Sequence, residues 1–167
     1  METVYCSGRF HFDYQNEDYV QKASEDYRAV LLGDVNTLLR GSGTIKINDI
    51  YSYIGPYYFE SDGMVDKEIV QAEMRMIEDS TLGVFLLEDG MCPGTVSEMV
   101  YASTLHKQMI IVYIQDDRET ESNLKSPCWY PILHCLQINE ANIRVITAGD
   151  FDHAQRIILN ILLEIDV

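Results

Sequence analysis

The chain has 167 residues, of which 47% are apolar types and 23% are charged, a composition typical of a folded globular protein rather than a disordered tail. With 27 acidic and 12 basic residues, its formal net charge of −15 repels polyanions and argues against binding to DNA, RNA or an anionic membrane. A small anionic ligand is not excluded, because helix N-termini and one or two arginines outweigh the overall field at short range.

The length favours a single domain over residues 1–167, since a second independent core would have to be unusually small. Residues 1–12 contain one short apolar stretch that Ser7, Gly8 and Arg9 interrupt, so they lack the form of a signal peptide. No apolar run approaches the roughly 20 residues that span a bilayer. We therefore expect a soluble, cytoplasmic protein.

The four cysteines, Cys6, Cys92, Cys128 and Cys135, include no Cys-x-x-Cys pair, so we expect separate reduced thiols. The four histidines are equally scattered, whereas a zinc site needs closely spaced ligand pairs. The sequence therefore predicts no metal ion, and nothing in it indicates another cofactor.

In chain order, a first strand is predicted at residues 3–6, ending at Ser7-Gly8, and an amphipathic helix at residues 17–40, which Gly41 and Gly43 end. A second strand is predicted within residues 44–54, before Gly55-Pro56. Residues 66–79 have helical period, and their apolar face is interrupted by one carboxylate, Glu73.

The continuous apolar run at residues 82–87 predicts a central strand covered on both faces. The remaining predicted elements are a helix at 95–106, a strand at 109–114, a short helix at 129–136, a strand at 142–146 and a closing helix at 150–165, capped by Asp150 or Asp152. Strands that alternate with helices in this way predict an α/β fold. We expect one doubly wound, Rossmann-like parallel sheet of about five strands with helices on both faces.

Ligands of such sheets bind outside the carboxyl ends of the strands, so the loops there are the candidate site. Three segments stand out in order: residues 5–10 (YCSGRF), 77–85 (IEDSTLGVF) and 93–102 (PGTVSEMVYA). The chain resembles the nucleoside 2-deoxyribosyltransferase family. That family has a tyrosine-small-glycine opening, an aspartate before the third strand, and a Gly-Thr-x-x-Glu-hydrophobic-x-x-Ala segment that ends in a lysine, here Lys107.

The resemblance implies that Glu98 attacks the anomeric carbon of a nucleoside and forms a glycosyl-enzyme intermediate, which another base or water releases. It also implies that Asp79 orients the substrate. The chemistry agrees, because a carboxylate stabilises and can trap an oxocarbenium-like centre. The leaving base needs a second acid, for which Asp79 and Asp89 are the candidates. The other predicted substrate-binding residues lie in the same loops: Tyr5, Ser7, Gly8, Arg9, Phe10, Gly94 and Thr95.

A structural alternative exists for Glu98, because residues 95–98 also have the pattern of a capping box, in which Glu98 reaches back to the Thr95 N–H. In either case Glu98 is expected near a helix N-terminus, where the dipole favours its ionised form. The sequence departs from the family at Cys92, where an acidic residue often contacts the nucleobase. Asp89 is the candidate to replace it.

Three functions are therefore considered. The first is transfer of a 2-deoxyribosyl group between bases. The second is hydrolysis of a nucleoside 5′-monophosphate, with Arg9 as the phosphate ligand. The third is a non-catalytic nucleotide-sensing module, which Cys92 suggests. All three imply a small nucleoside or nucleotide as partner. The resemblance further implies a homo-oligomer with a shared active site, in which Trp129 and Tyr130 could stack on a base.

Overall fold

The strands of the protein form one mixed sheet in a computed structural model, which describes residues 1–10, 18–58, 66–88, 92–115 and 129–164. In these residues the strands are β1 (Glu2–Gly8), β2 (Ile45–Lys46), β3 (Tyr51–Gly55), β4 (Leu82–Leu87), β5 (Gln108–Ile114) and β6 (Ile143–Ala148). Their order is β2-β3-β1-β4-β5-β6, and all neighbours pair in parallel except β2, which is antiparallel to β3. This confirms the predicted α/β class, with a short antiparallel edge strand added to five parallel strands.

Helices cover both faces of the sheet. They are α1 (Tyr19–Ser24), α2 (Tyr27–Leu32), α3 (Val35–Arg40), α4 (Asp66–Asp79), α5 (Pro93–Thr104), α6 (Trp129–Asn139) and α7 (Phe151–Leu163). Helices α2 and α7 pack on one face and α4, α5 and α6 on the other, each group over its own cluster of buried side chains. Among the described residues, no helix has the length and apolar character required to cross a membrane.

Strand β1 shows how the sequence divides between these two cores. Successive side chains of a strand point to opposite faces. Val4 and Cys6 accordingly belong to the cluster under α2 and α7, whereas Tyr5 belongs to the cluster under α4, α5 and α6. The same alternation turns Ser7 toward α5. Two polar side chains of the first motif therefore face the helix that carries Glu98.

The single helix predicted at residues 17–40 is wrong, because the described part of this segment forms three short helices. The Asp26 and Asp34 side chains each accept a hydrogen bond from a backbone N–H two residues later, which begins α2 and α3. Gly33, with a φ of 70°, ends α2 in the left-handed conformation that glycine adopts at low cost. Local capping therefore overrides the continuous amphipathic pattern.

The segment predicted to contain a second strand contains two, β2 and β3, joined by a turn in which the Asn48 side chain accepts from the N–H groups of Ile50 and Tyr51. A cis peptide bond joins Gly55 to Pro56. Helix α4 has the predicted bounds, and Asp150 caps α7 through the N–H of His153. The last helices and strands differ from the predicted ranges by a few residues at their ends.

Candidate functional site

At the carboxyl edge of the sheet, described residues that follow β1, β3 and β4 line a cavity of about 220 Å³. Polar backbone and side-chain groups from β1 and from the start of α5 make up much of its wall. The lining residues are Ser7, Gly8, Arg9, Phe10, Pro56, Glu73, Cys92, Gly94, Thr95 and Glu98. The structure therefore brings together six of the predicted substrate-binding residues and the predicted nucleophile.

Glu98 lies on the second turn of α5 and faces the end of β1. The Ser7 hydroxyl donates a hydrogen bond to Oε2 of Glu98. Helix α5 begins at Pro93 with Cys92 as its N-cap residue, and no side chain caps it. Thr95 is therefore inside the helix, and the capping-box alternative for Glu98 is wrong. The carboxylate is directed at a cavity and a hydroxyl instead.

Burial has the largest effect on the pKa of Glu98. It raises the pKa of the carboxyl group above the usual 4.5, while hydrogen bonds from Ser7 and Tyr5 and the charge of Arg28 act in the opposite direction. Loss of solvent therefore acts against the ionised form that the helix N-terminus was expected to favour. The hydroxyls of Ser7 and Tyr5 on β1 and the positive charge of Arg28 on α2 favour that form.

Tyr5 lies behind Glu98 and is completely buried. Its hydroxyl has no hydrogen-bond partner of regular geometry among the described residues, but it is close enough to Glu98 to favour the carboxylate. Burial, and then the nearby charges of Glu98 and Glu73, raise the pKa of Tyr5 well above 10. Tyr5 thus remains a neutral hydrogen-bond donor next to the carboxylate.

Glu73, which is not among the predicted site residues, is the second carboxylate among the described residues that line the cavity. It extends from α4 and is partly buried. Burial, together with repulsion from Glu98, raises its pKa from 4.5 to about 7. The signal in the sequence was one carboxylate in the otherwise apolar face of α4. A group with this pKa can both donate and accept a proton at neutral pH.

A larger and mainly apolar cavity of about 470 Å³ adjoins the first one between α4 and α5. Glu73, Gly94 and Glu98 belong to both cavities. The remaining lining residues are Val70, Met74, Ile77, Pro93, Ser97 and Tyr101. The two carboxylates therefore stand between a polar space and an apolar one, an arrangement that suits a ligand with a sugar at one end and a flat ring at the other.

Asp79 does not join this site. It is exposed at the end of α4, and its carbonyl accepts a hydrogen bond from Thr3 near the start of β1. Strand β4 separates it from the cavity, and five residue steps of about 3.3 Å amount to roughly 17 Å. Asp79 thus lies at the amino edge of the sheet, away from the residues that line the cavity. Asp89 lies outside the described residues.

Lys107, the last feature of the resemblance, also lies at the amino edge. Its ammonium group donates to the carbonyls of Glu78 (2.6 Å) and Ser80 (2.7 Å) after the last turn of α4. A cation there satisfies carbonyls that the helix leaves unpaired. Both Asp79 and Lys107 therefore belong to the junction between α4 and β4.

The described residues contain no group of three or more His, Cys, Asp or Glu side chains that could hold a metal ion. Cys6, Cys92 and Cys135 are buried free thiols. Cys92 lines the smaller cavity, and its Sγ lies 3.8 Å from the Glu88 carbonyl. The site can thus offer carboxylates, hydroxyls and backbone N–H groups to a ligand.

The aromatic side chains near the carboxyl edge of the sheet and on α6 are dispersed. Tyr57 is in the core, and the Tyr58 ring packs edge-on against Phe10 at 4.8 Å between centroids. Trp129 packs at a tilt against Tyr113, whereas Tyr130 is 66% exposed. Of these aromatic rings, Phe10 is the one that lines the smaller cavity.

Comparison with known family models and with curated protein sequences finds no match. Among solved structures, the chain is similar to a CMP N-glycosidase from Clostridium botulinum, BcmB. The TM-score is 0.53 at 13% sequence identity, and the similarity covers 98% of this chain and 100% of that one. The two proteins therefore share a fold over their whole lengths.

Proposed function

We propose that this protein is an N-glycosidase that hydrolyses the bond between base and sugar in a nucleoside 5′-monophosphate. The observation that carries the proposal is the Glu98 carboxylate, which faces a cavity at the carboxyl edge of the sheet and accepts a hydrogen bond from Ser7. The shared fold with a CMP N-glycosidase supports the same class of reaction.

In the proposed first step, a Glu98 oxygen forms a bond to the anomeric carbon while the bond from that carbon to the base nitrogen breaks. The electron pair of the broken bond stays on the base, which takes a proton from Glu73. This role suits Glu73 because its pKa of about 7 leaves much of it protonated near neutral pH.

In the second step, water attacks the anomeric carbon and Glu98 departs as a carboxylate. Glu73, ionised by the first step, accepts the proton of the attacking water. Both carboxylates return to their starting states. The products are the free base and a sugar 5-phosphate.

A 5′-phosphate suits the smaller cavity, because its lining includes Arg9, Gly94 and Thr95. Arg9 is exposed there, and the first turn of α5 presents unpaired backbone N–H groups and the positive end of a helix dipole. These local charges act at short range, where the overall negative charge matters least. We therefore favour a nucleotide over a nucleoside.

Transfer of a 2-deoxyribosyl group to another base is the second candidate. The Gly94-Thr95 pair followed by Glu98 favours it through the family resemblance. The chemistry is the same up to the glycosyl-enzyme, and a second base replaces water as the acceptor. Adding a free base to the assay separates the two functions.

The test incubates the protein with CMP, dCMP, purine monophosphates and the matching nucleosides, with and without a second free base, and resolves the products by chromatography. We expect release of base, with monophosphates preferred, and loss of that preference in Arg9→Ala. New nucleosides that contain the added base would identify a transferase. Absence of turnover with every substrate would contradict catalysis and leave nucleotide binding.

Glu98→Gln should lower kcat by on the order of 10³-fold or more, because the variant cannot form the glycosyl-enzyme. Asp79→Asn is the matched control, since it removes an exposed carboxylate at the other edge of the sheet. We expect it to keep nearly full activity. A mass increase on Glu98 after incubation with a 2-fluoro-sugar nucleotide would identify the nucleophile directly, and a fully active Glu98→Gln protein would refute it.

A further inference from the structure

Helix α2 contributes a buried arginine that the proposed reaction does not use. The Arg28 side chain has no exposed surface, and that of its partner Asp26 has 4%. Nε and Nη2 of Arg28 donate to the two Asp26 carboxylate oxygens at 2.8 and 2.7 Å. This fork-to-fork pairing fixes the plane of the guanidinium group.

The remaining N–H groups of Arg28 point at the backbone of the first motif. Nη1 donates to the carbonyls of Gly8 (3.1 Å) and Cys6 (3.5 Å), and Nη2 donates to the carbonyl of Arg9 (3.4 Å). A guanidinium group has five N–H donors. Each of the five donors of Arg28 therefore has an acceptor.

Two further contacts complete the attachment of this segment to α2. The Tyr27 hydroxyl lies 3.5 Å from the Ser7 carbonyl, and the Arg28 guanidinium carbon lies 3.9 Å from the centre of the Phe10 ring. The carbonyls of residues 6 to 9 therefore all face donors from the first turn of α2. The backbone is held from one face of the sheet, while the Ser7 side chain meets Glu98 on the other.

We propose that Arg28 is a positioning residue that, together with the hydroxyl of its neighbour Tyr27, holds the end of β1 so that the Ser7 hydroxyl meets the Glu98 carboxylate and Phe10 keeps its place in the cavity wall. A buried ion pair adds little stability compared with apolar side chains of the same volume. A planar fork, in contrast, fixes several acceptors in direction at once. The inference rests on the proposed function for its catalytic consequence.

A double-mutant cycle between Arg28→Lys and Ser7→Ala tests the proposal. Lysine keeps the charge but loses the planar fork. We expect each single variant to lower kcat by between about 10-fold and 100-fold with a smaller change in KM, since a misplaced group near the reacting carbon costs about this much. The double variant should resemble Ser7→Ala. The proposal is overturned if the losses of kcat in the two single variants multiply in the double variant, or if Arg28→Lys leaves kcat unchanged.

A second measurement needs no substrate. The groups that act on Glu98 are Tyr5 and Ser7 from β1 and Arg28 from α2, and Glu73 of α4 lines the same cavity. Since the Ser7 hydrogen bond lowers the pKa of Glu98, its loss in Ser7→Ala should raise that pKa, which a ¹³C NMR titration of the glutamate carboxyl groups would record. Arg28→Lys should raise it too, but should add nothing in the Ser7→Ala background.

The NMR cycle separates the two proposals. Suppose that Arg28→Lys raises the pKa of Glu98 only when Ser7 is present, and that the parent protein releases no base. This result would support the positioning role and contradict the proposed function. If base release is observed but the pKa of Glu98 is the same in Arg28→Lys as in the parent protein, the positioning role fails and the function stands.

Thermal unfolding shows whether Arg28→Lys folds. If it does not, Tyr27→Phe replaces it, because this variant removes the hydroxyl near the Ser7 carbonyl and leaves the pair of Arg28 and Asp26 in place. A raised Glu98 pKa in Tyr27→Phe, absent in the Ser7→Ala background, is then the expected result. An unchanged pKa would overturn the proposal.

Discussion

Glu73 and Glu98 show how one cavity gives two residues of the same type different tasks. Both lose solvent, which raises the pKa of each, and the charge of Glu98 raises the pKa of Glu73 further. The Ser7 and Tyr5 hydroxyls and Arg28 lower the pKa of Glu98 and so oppose the effect of burial. Glu73 has no lowering contribution of comparable size, and its pKa rises to about 7. Below about pH 7 Glu73 is therefore mostly protonated, while the hydrogen bonds and the charge that act on Glu98 favour its ionised form.

This difference predicts a bell-shaped pH dependence of base release. Activity should rise as Glu98 ionises and fall as the pH passes about 7, where Glu73 loses its proton. Glu73→Gln should remove the alkaline limb and lower kcat by about 10²-fold or more. Measuring kcat from pH 5 to 9 for both proteins checks this, and an alkaline limb that persists in Glu73→Gln would assign it to another group.

The same shift has a consequence for stability. Because the folded state holds the Glu73 proton more tightly, this contribution is complete below about pH 4.5 and is lost as the pH rises through about 7. The full shift corresponds to at most about 3 kcal/mol, and solvent screening of a partly exposed side chain reduces it to about 1 kcal/mol. Glu73→Gln should therefore be more stable than the parent at pH 8. Urea unfolding at pH 5 and pH 8 measures the change, and equal stability at pH 8 would contradict it.

At the scale of elements, the junction of α4 and β4 explains why part of the resemblance is structural. Asp79 and Lys107 flank a helix end at the amino edge of the sheet, and the Lys107 ammonium group closes that end through two carbonyls. Glu98 is on the helix that follows β4, at the carboxyl edge. Of the residues that carry the resemblance, Asp79 and Lys107 therefore lie near the amino end of β4, whereas Glu98 lies beyond its carboxyl end.

Lys107→Met should destabilise the protein by about 1 kcal/mol without changing KM, because two carbonyls at a helix end lose a charged donor. Lys46→Met is the matched control. Lys46 pairs with Asp49 across side chains that are 59% and 96% exposed, and such a pair contributes almost nothing. Denaturant unfolding compares the two variants, and equal stabilities would show that the Lys107 contacts are not stabilising.

For the whole molecule, the net charge of −15 matters more for stability than for the fold. Self-repulsion of the surface opposes compaction and is screened by salt. Raising NaCl from about 10 mM to about 150 mM should therefore raise Tm by about 2–4 °C, the change expected for about 1 kcal/mol in a chain of this size. At pH 5, where more carboxylates are protonated, the rise should be smaller. A Tm that salt leaves unchanged at pH 8 would contradict this prediction.

The spacing of apolar residues was sufficient to predict the α/β class, α4, β4 and the helix that carries Glu98. This spacing indicates which side of a helix or strand is buried. It failed for residues 17–40, where the caps at Asp26 and Asp34 and the turn at Gly33 act over only two or three residues. Apolar residues at helical spacing do not reveal such interruptions of a helix.

The sequence by itself determined that Ser7, Gly8, Arg9 and Glu98 follow strands whose carboxyl ends share an edge, since parallel strands place those loops together. Only the tertiary structure decided which carboxylates meet. Glu73 enters the cavity and Asp79 does not, although they are six residues apart on one helix. The reason is geometric, because helix α4 runs back along the strands, so that Glu73 on its middle turn reaches the cavity while Asp79 at its end lies at the opposite edge of the sheet.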